Sequence, residues 1–119
     1  MMGYAAIHAG NLVRARVLIH ESLKGNRALE DIPGQLACVV ATATYALVEK
    51  DAMKAVSLCA LIESRMNADG VKLLEPDVKA LQEVLIQAKE ALGEDDYAAA
   101  YQLGKSMKLD DEIMKLMAE

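Results

Sequence analysis

Side chains that could carry out chemistry are few and widely spaced in this sequence of 119 residues. Cys38 and Cys59 stand alone, because neither belongs to a Cys-x-x-Cys pair or has a neighbouring histidine. A catalytic thiol needs an activating base, and a structural zinc site needs four ligands. We therefore predict two buried free thiols in a reducing compartment, and neither a disulfide nor a metal site.

The other reactive side chains also lack the partners that catalysis requires. His8 and His20 lie on different predicted helices, and the sequence offers no third ligand for a metal ion. The serines have no nucleophile-elbow context, and glycine-rich phosphate-binding motifs are missing. The sequence predicts no catalytic residue, no metal and no cofactor, and we predict that the protein is not an enzyme.

The charge of the chain argues against nucleic acid as a partner. The formal net charge is −5, whereas binding to nucleic acid depends on neutralising phosphates with basic side chains. Residues 1–27 carry four basic and one acidic side chain, and residues 75–119 carry eleven acidic and five basic ones. We interpret these segments as solvated surfaces of opposite sign, with a partner-docking patch as the less favoured alternative. Acidic clusters at 94–96 and 110–112 coincide with predicted helix starts, which favours helix capping over cation binding.

The composition predicts helices and no sheet. Hydrophobic residues make up 54% of the chain, which has four Tyr and neither Phe nor Trp. The frequent Ala, Leu and Met favour helices, while the aromatic residues that favour strands are scarce. No apolar run approaches the roughly 18 residues that span a bilayer, and the N-terminus lacks a signal-peptide pattern. We predict a single all-α domain over residues 1–119, in the cytoplasm and without membrane association.

Apolar periodicity and capping residues divide the chain into successive helices. Asp51 is a predicted N-cap, Pro76 a predicted first-turn residue, and Gly93 and Gly104 are predicted helix ends. The segment 31–34 is predicted to break the chain before the third helix. The predicted helices cover about residues 1–9, 12–24, 34–49, 52–66, 76–92, 95–103 and 110–118.

An internal repeat relates two parts of the chain. Residues 4–19 and 44–59 are similar at a constant offset of forty, and each copy is a helix, a short polar turn and a second helix. Ala15 and Ala55 occupy the place where the two helices of a hairpin cross most closely. Such an αα-hairpin cannot bury its apolar face alone, so we predict antiparallel hairpins stacked side by side. The predicted hairpins cover about 1–27 and 34–68, and C-terminal capping helices cover about 75–119.

The second helix of each copy resembles that of a tetratricopeptide repeat, with Ala followed by a large apolar residue and then a small one. The corresponding residues are Ala15, Ile19 and Ser22 in one copy and Ala55, Cys59 and Ile62 in the other. The copies depart from that family in their forty-residue period and in lacking its Trp and Leu-Gly pair. The resemblance implies a tetratricopeptide-like superhelix.

The segment from Ala91 to Met117 resembles the end of the helical-repeat region in bacterial signal-transduction ATPases and LuxR-type, MalT-like transcriptional regulators. That region has a Leu-Gly helix end, an acidic turn, two aromatics around small residues, Gly-x-x-Met and a final acidic helix. The corresponding residues are Leu92, Gly93, Tyr97, Ala100, Tyr101, Gly104, Met107, Leu109, Asp110 and Asp111. Lys108 and Ile113 depart from the family, which has a Ser or Thr cap and an Ala there.

This resemblance implies a non-catalytic protein-interaction or signal-relay domain that is a fragment of a larger bacterial regulator, with any ATPase upstream. Its partner would be a protein or peptide, or the upstream domains of the same parent chain. The first helices of stacked hairpins line a concave surface. The repeat register places near that surface Tyr4, Ile7, His8, Thr44, Leu47 and Val48. For the apolar members of this set, burial against a neighbouring repeat is the favoured alternative.

Two other functions stay open at this point. If the shortened first helix leaves apolar surface exposed, two chains would pair through it and form a homodimer with a structural or adaptor role. A ligand-binding helical domain is less favoured, because it requires an apolar pocket with converging polar groups.

Overall fold

In the computed structural model, residues 12–29 and 31–118 are described, and they form six α-helices and no strand. The prediction of an all-α fold is confirmed for this part of the chain. The predicted helix at residues 1–9 lies outside the described residues, together with Tyr4, Ile7 and His8. In chain order the helices are α1 (Leu12–Ala28), α2 (Ile32–Val48), α3 (Ala52–Asp69), α4 (Glu75–Leu92), α5 (Glu94–Ser106) and α6 (Leu109–Ala118).

Three helix boundaries follow the predicted signals. The Asp51 carboxylate accepts a hydrogen bond from the backbone N–H of Lys54 at 3.2 Å and so caps α3. Pro76 lies in the first turn of α4, where its missing N–H removes no intrahelical hydrogen bond. Gly93 follows α4 with a φ of +84°, a left-handed conformation that favours glycine.

Two other boundary predictions are wrong. The segment 31–34 begins α2 and does not break the chain before it. The Asp31 carboxylate accepts a hydrogen bond from the Gly34 N–H at 3.0 Å, so the predicted break is the N-cap and first turn of the helix. Gly104 does not end α5, because the helix continues beyond it. Glycine at this position allows the backbone of α5 to approach α3 closely.

Helices α2 and α3 form the centre of the structure. Helix α3 packs against α2, α4 and α5, and α2 packs against α1, α3 and α4. Because they are covered on several sides, their buried side chains point in several directions around each helix. The largest fully buried ones are Leu36, Val39 and Val40 on α2 and Val56, Leu58, Leu61 and Ile62 on α3. None of the described helices, α2 included, is long and apolar enough to cross a membrane.

The last helix returns to the first. Helix α6 packs against α1, and a basic nitrogen of Arg27 lies 3.6 Å from a carboxylate oxygen of Asp110. The Asp110 side chain is largely exposed to solvent and that of Arg27 is partly exposed, so the pair adds little stability. The buried side chains Leu109, Ile113 and Leu116 belong to the central core cluster. Their burial therefore stabilises this contact more than the ion pair does.

Both cysteines are buried and free, as predicted. Burial raises the pKa of the Cys38 thiol to about 11, although a hydrogen bond from Asn26 partly offsets the effect. Burial also raises the pKa of the Cys59 thiol, and the nearby Glu63 carboxylate raises it further. The reactive form of cysteine is the thiolate, so both groups are poor nucleophiles at neutral pH.

Candidate functional site

A cleft of about 300 Å³ lies between α1 and the beginning of α3. The α1 wall consists of Arg16, Ile19 and His20, which recur at the three- and four-residue spacing of one helix face. The facing wall consists of Asp51 and Lys54, at the N-terminus of α3. The cleft is therefore bordered by charged and polar side chains on both sides, with Ile19 between them.

Helix α2 forms the base of the cleft. Its contributing side chains are again spaced three and four residues apart, and they are Thr42, Tyr45, Ala46 and Glu49. Leu116 of α6 reaches the cleft from the side where the last helix packs against α1. Tyr45, Ile19 and Leu116 thus provide apolar surface inside a cleft whose edges carry charge.

The cleft is open because α1 and α3 do not pack closely. Both helices pack against α2, but they are not among the helix pairs that make extensive contact with each other. The forty-residue offset allows a direct comparison of their faces, because it matches Arg16, Val17 and His20 of α1 with Val56, Ser57 and Ala60 of α3. Small or apolar residues on α3 correspond to larger and mostly polar residues on α1.

On α3, this face is covered by helix α5. Val56, Ser57 and Ala60 are all buried. The single Ser57 hydroxyl hydrogen is shared between the Met53 carbonyl of the same helix at 3.0 Å and the Ala100 carbonyl of α5 at 3.1 Å. A Cβ atom on Gly104 would overlap the Ser57 carbonyl oxygen and would lie 2.6 Å from the Ala60 Cβ. Helix backbones approach this closely only where the side chains between them are small. Glycine at position 104 therefore permits the contact between α3 and α5.

Polar contacts surround this small-residue contact. The Tyr101 hydroxyl donates a hydrogen bond to the Glu63 carboxylate at 2.7 Å, and the Tyr97 and Tyr101 rings stack with centroids 6.1 Å apart. The Lys105 ammonium lies 5.3 Å from the Tyr101 ring centroid, and that of Lys89 lies 5.5 Å from the Tyr97 centroid. Partial burial raises the pKa of Tyr101, and the hydrogen bond to Glu63 raises it further.

The edges of the cleft carry exposed charged groups. The Arg16 side chain forms no ion pair with any described residue, whereas the Asp51 carboxylate is already bonded to the backbone of α3. Arg16 and Glu49 are exposed at the edges, and the Tyr45 ring lies at the base. Within the described part of the chain, no group of three or more His, Cys, Asp or Glu side chains could hold a metal ion.

The predicted interaction residues on α2 lie beside the cleft and do not line it. Thr44 is buried, and its hydroxyl donates a hydrogen bond to the Val40 carbonyl of its own helix at 3.1 Å. Leu47 is half-buried against the core, while Val48 is 46% exposed. For the apolar residues in this set, the favoured alternative is burial, and Leu47 is indeed half-buried. Thr44 and Leu47 therefore face inward, whereas other residues of α2 border the cleft.

The remaining predicted residues, Tyr4, Ile7 and His8, lie outside the described residues. His20 also lines the cleft, although the sequence argues against it as a metal ligand and it is not among the predicted interaction residues. The available signal was the spacing of Arg16, Ile19 and His20, which places two polar side chains beside an apolar one on a single helix face.

No family model, no curated protein and no solved structure matches this chain. The resemblance to regulator repeat domains therefore stays a prediction from the sequence. The function is inferred from the cleft and from the difference between the faces of α1 and α3.

Proposed function

We propose that this chain is a non-catalytic helical-repeat domain that binds a segment of a partner protein in the cleft between α1 and α3. In this proposal it serves as a tetratricopeptide-like protein-interaction or signal-relay part of a bacterial transcriptional regulator or signal-transduction ATPase, in the cytoplasm. The observation that carries the proposal is the open, mixed polar and apolar cleft at a position where the second repeat is closed by α5.

The dimensions of the cleft support a few side chains as the bound group. Its volume of about 300 Å³ is at the lower end of the range for ligand pockets. Apolar side chains of a partner would contact the half-buried Tyr45 and remove its remaining surface from water. Charged side chains at the edges would pair with Arg16 and Glu49, which favours specificity more than affinity.

Burial at equivalent positions supports the repeat part of the proposal. Ala15 and Ala55 are both fully buried, and Ile19 and Cys59, the next residues of the tetratricopeptide-like pattern, are also buried. Equivalent residues therefore face the interior in both copies. The two copies differ on the adjacent face, where α3 is covered and α1 is open.

A peptide-display selection with a filled-cleft variant tests the proposed function. Random peptides are selected on the unmodified protein and then measured against His20→Trp, which places a large ring in the cleft. Ala98→Trp on the exposed surface of α5 is the matched control. We expect the selected peptides to bind His20→Trp at least roughly tenfold more weakly than the unmodified protein, a loss of about 1.4 kcal/mol in binding free energy. They should bind Ala98→Trp as tightly as the unmodified protein.

Circular dichroism and thermal unfolding establish that both tryptophan variants are folded. Failure to select any peptide would contradict the proposal. Peptides that bind His20→Trp as tightly as the unmodified protein would also contradict it, because their site would lie elsewhere.

A further inference from the structure

We infer that the partner presents an acidic amphipathic α-helix, which lies along the exposed face of α1 and inserts side chains into the cleft. This inference rests on the proposed function, since it names the class of partner for the same site. It is based on three observations: an exposed apolar stripe on α1, the helix that covers the equivalent face of α3, and the basic charge of α1.

The exposed face of α1 carries an apolar stripe. Val13 is 78% exposed and Val17 is 51% exposed, although both lie on a helix whose other face is buried. At 100° per residue, Val13, Val17 and Lys24 fall within about 40° of one another around the helix axis. This stripe lies beside Arg16 and His20, so it continues the α1 wall of the cleft towards solvent.

The second repeat indicates that a helix fits such a face. On α3, helix α5 covers the residues that are equivalent to Arg16, Val17 and His20. The cleft itself is too small for a whole helix of about 10 Å diameter, so only side chains enter it. The partner helix would therefore lie over Val13 and Val17, with every third or fourth side chain directed at α1 or into the cleft.

The charge beside the apolar stripe of α1 favours an acidic helix. Helix α1 carries four basic side chains, of which Arg27 pairs with Asp110, and one acidic one, Glu21; Arg16 and Lys24 lie beside the valines. Carboxylates on one flank of a partner helix would pair with Lys24 and Arg16. The N-terminal residues 1–11 contain no Asp or Glu, so they do not provide this complement. Helix α5 has an acidic first turn, but its small-residue face is already packed on α3.

Two display libraries of equal length, which differ only in a central proline, test the inference. One carries randomised residues on a helix-forming Ala-rich scaffold, and the other has a central proline that prevents a continuous helix. We expect binders to come from the helix-forming library and to be enriched in Asp and Glu. Binding of these peptides is then measured by fluorescence anisotropy at low and high salt, and we expect weaker binding at high salt.

Two charge variants locate the bound helix on α1. Val17→Glu places a carboxylate in the centre of the apolar stripe, and we expect roughly tenfold weaker binding of acidic helical peptides. Lys24→Glu should weaken binding of these peptides roughly threefold or more, and their affinity should depend less on salt than it does for the unmodified protein. Leu103→Glu changes an apolar residue that is 57% exposed on α5 and serves as the control, for which we expect no change.

The outcomes separate this inference from the proposed function. The deciding peptides are those that bind the unmodified protein and fail to bind His20→Trp. If such peptides tolerate proline, lack acidic residues or bind Val17→Glu as tightly as the unmodified protein, the acidic helix is overturned and the proposed function stands. Absence of any cleft-dependent binder would overturn both. Sedimentation that shows self-association of the unmodified protein, abolished by Val17→Glu, would identify a second copy as the occupant and overturn the partner helix.

Discussion

Two equivalent helix faces in this protein have different neighbours. The face of α3 that contains Ser57 and Ala60 is covered by α5, whereas the equivalent face of α1, with Val17 and His20, is open. The two faces occupy the same positions in the internal repeat. What differs is the size and polarity of the side chains on them and on the opposing helix. Small residues allow two helices to meet, and larger polar residues leave a cleft between them.

The largest change in stability should come from Gly104 on α5, the helix that covers α3. Gly25 on α1 provides the comparison. Gly104→Ala places a Cβ against the Ser57 carbonyl, and the backbone must shift, so we expect a loss of roughly 1–3 kcal/mol in the free energy of unfolding. Gly25 on α1 has no atom within 4 Å of an added Cβ. Gly25→Ala should therefore stabilise the protein by up to about 1 kcal/mol through helix propensity. Urea denaturation measures both, and equal effects of the same sign would contradict the comparison.

Gly104 also illustrates what sequence reasoning could not provide. The pattern of the chain predicted the all-α fold, the Asp51 cap and the start of α4 at Pro76, because these depend on local residues and their periodicity. A glycine near the end of a helix pattern is typical of a helix stop. Its actual role depends on the Ser57 carbonyl of a different helix, forty-seven positions earlier in the chain, which no local pattern encodes.

The cleft was beyond sequence reasoning for a similar reason. On α2 the repeat register selected Thr44 and Leu47, whose side chains face inward. The residues that border the cleft are one or two positions away, and that small shift changes the face of the helix. Which face stays open depends on the distance between α1 and α3. Both helices pack on α2, and α6 packs on α1, so this arrangement depends on contacts between residues far apart in the sequence.

The next largest effect concerns the hydrogen bond beside the closed contact. Tyr101→Phe removes the hydroxyl that donates to Glu63, and we expect a loss of about 1 kcal/mol at neutral pH. Tyr45→Phe in the open cleft is the matched control, since its hydroxyl has no hydrogen-bond partner among the described residues. We expect a loss below about 0.5 kcal/mol for this variant. Similar losses for the two variants would contradict the assignment.

The same hydrogen bond predicts a pH dependence. The pKa of Tyr101 is raised in the folded protein, so the unfolded chain loses this proton first as the pH increases. The stabilisation is therefore complete below the ordinary tyrosine pKa of about 10 and decreases above it. The raised pKa of Cys38, about 11, adds a decrease that begins near pH 9. We expect Tyr101→Phe to lose less stability than the unmodified protein between pH 10 and 11.5, measured by urea denaturation.

The smallest effects should come from alanine at equivalent positions. Ser57→Ala removes a hydroxyl whose hydrogen is shared between the Met53 and Ala100 carbonyls, and we expect a loss of about 0.5–1 kcal/mol in the free energy of unfolding. Val17→Ala on the open face removes a side chain that is already half-exposed, so stability should change by less than about 0.5 kcal/mol. A larger loss for Val17→Ala would indicate that this face is covered within the protein itself.

The most direct test of the difference between the two faces is the reactivity of cysteines placed at equivalent positions. Val17→Cys and Ser57→Cys are each treated with a thiol-specific reagent under native conditions, against the slow background of the unmodified protein, whose two thiols are buried. We predict that the thiol at position 17 reacts at the rate of an exposed cysteine. The thiol at position 57 should react at least roughly a hundredfold more slowly, because α5 must first separate from α3. Equal rates at the two positions would contradict an open α1 face and a closed α3 face.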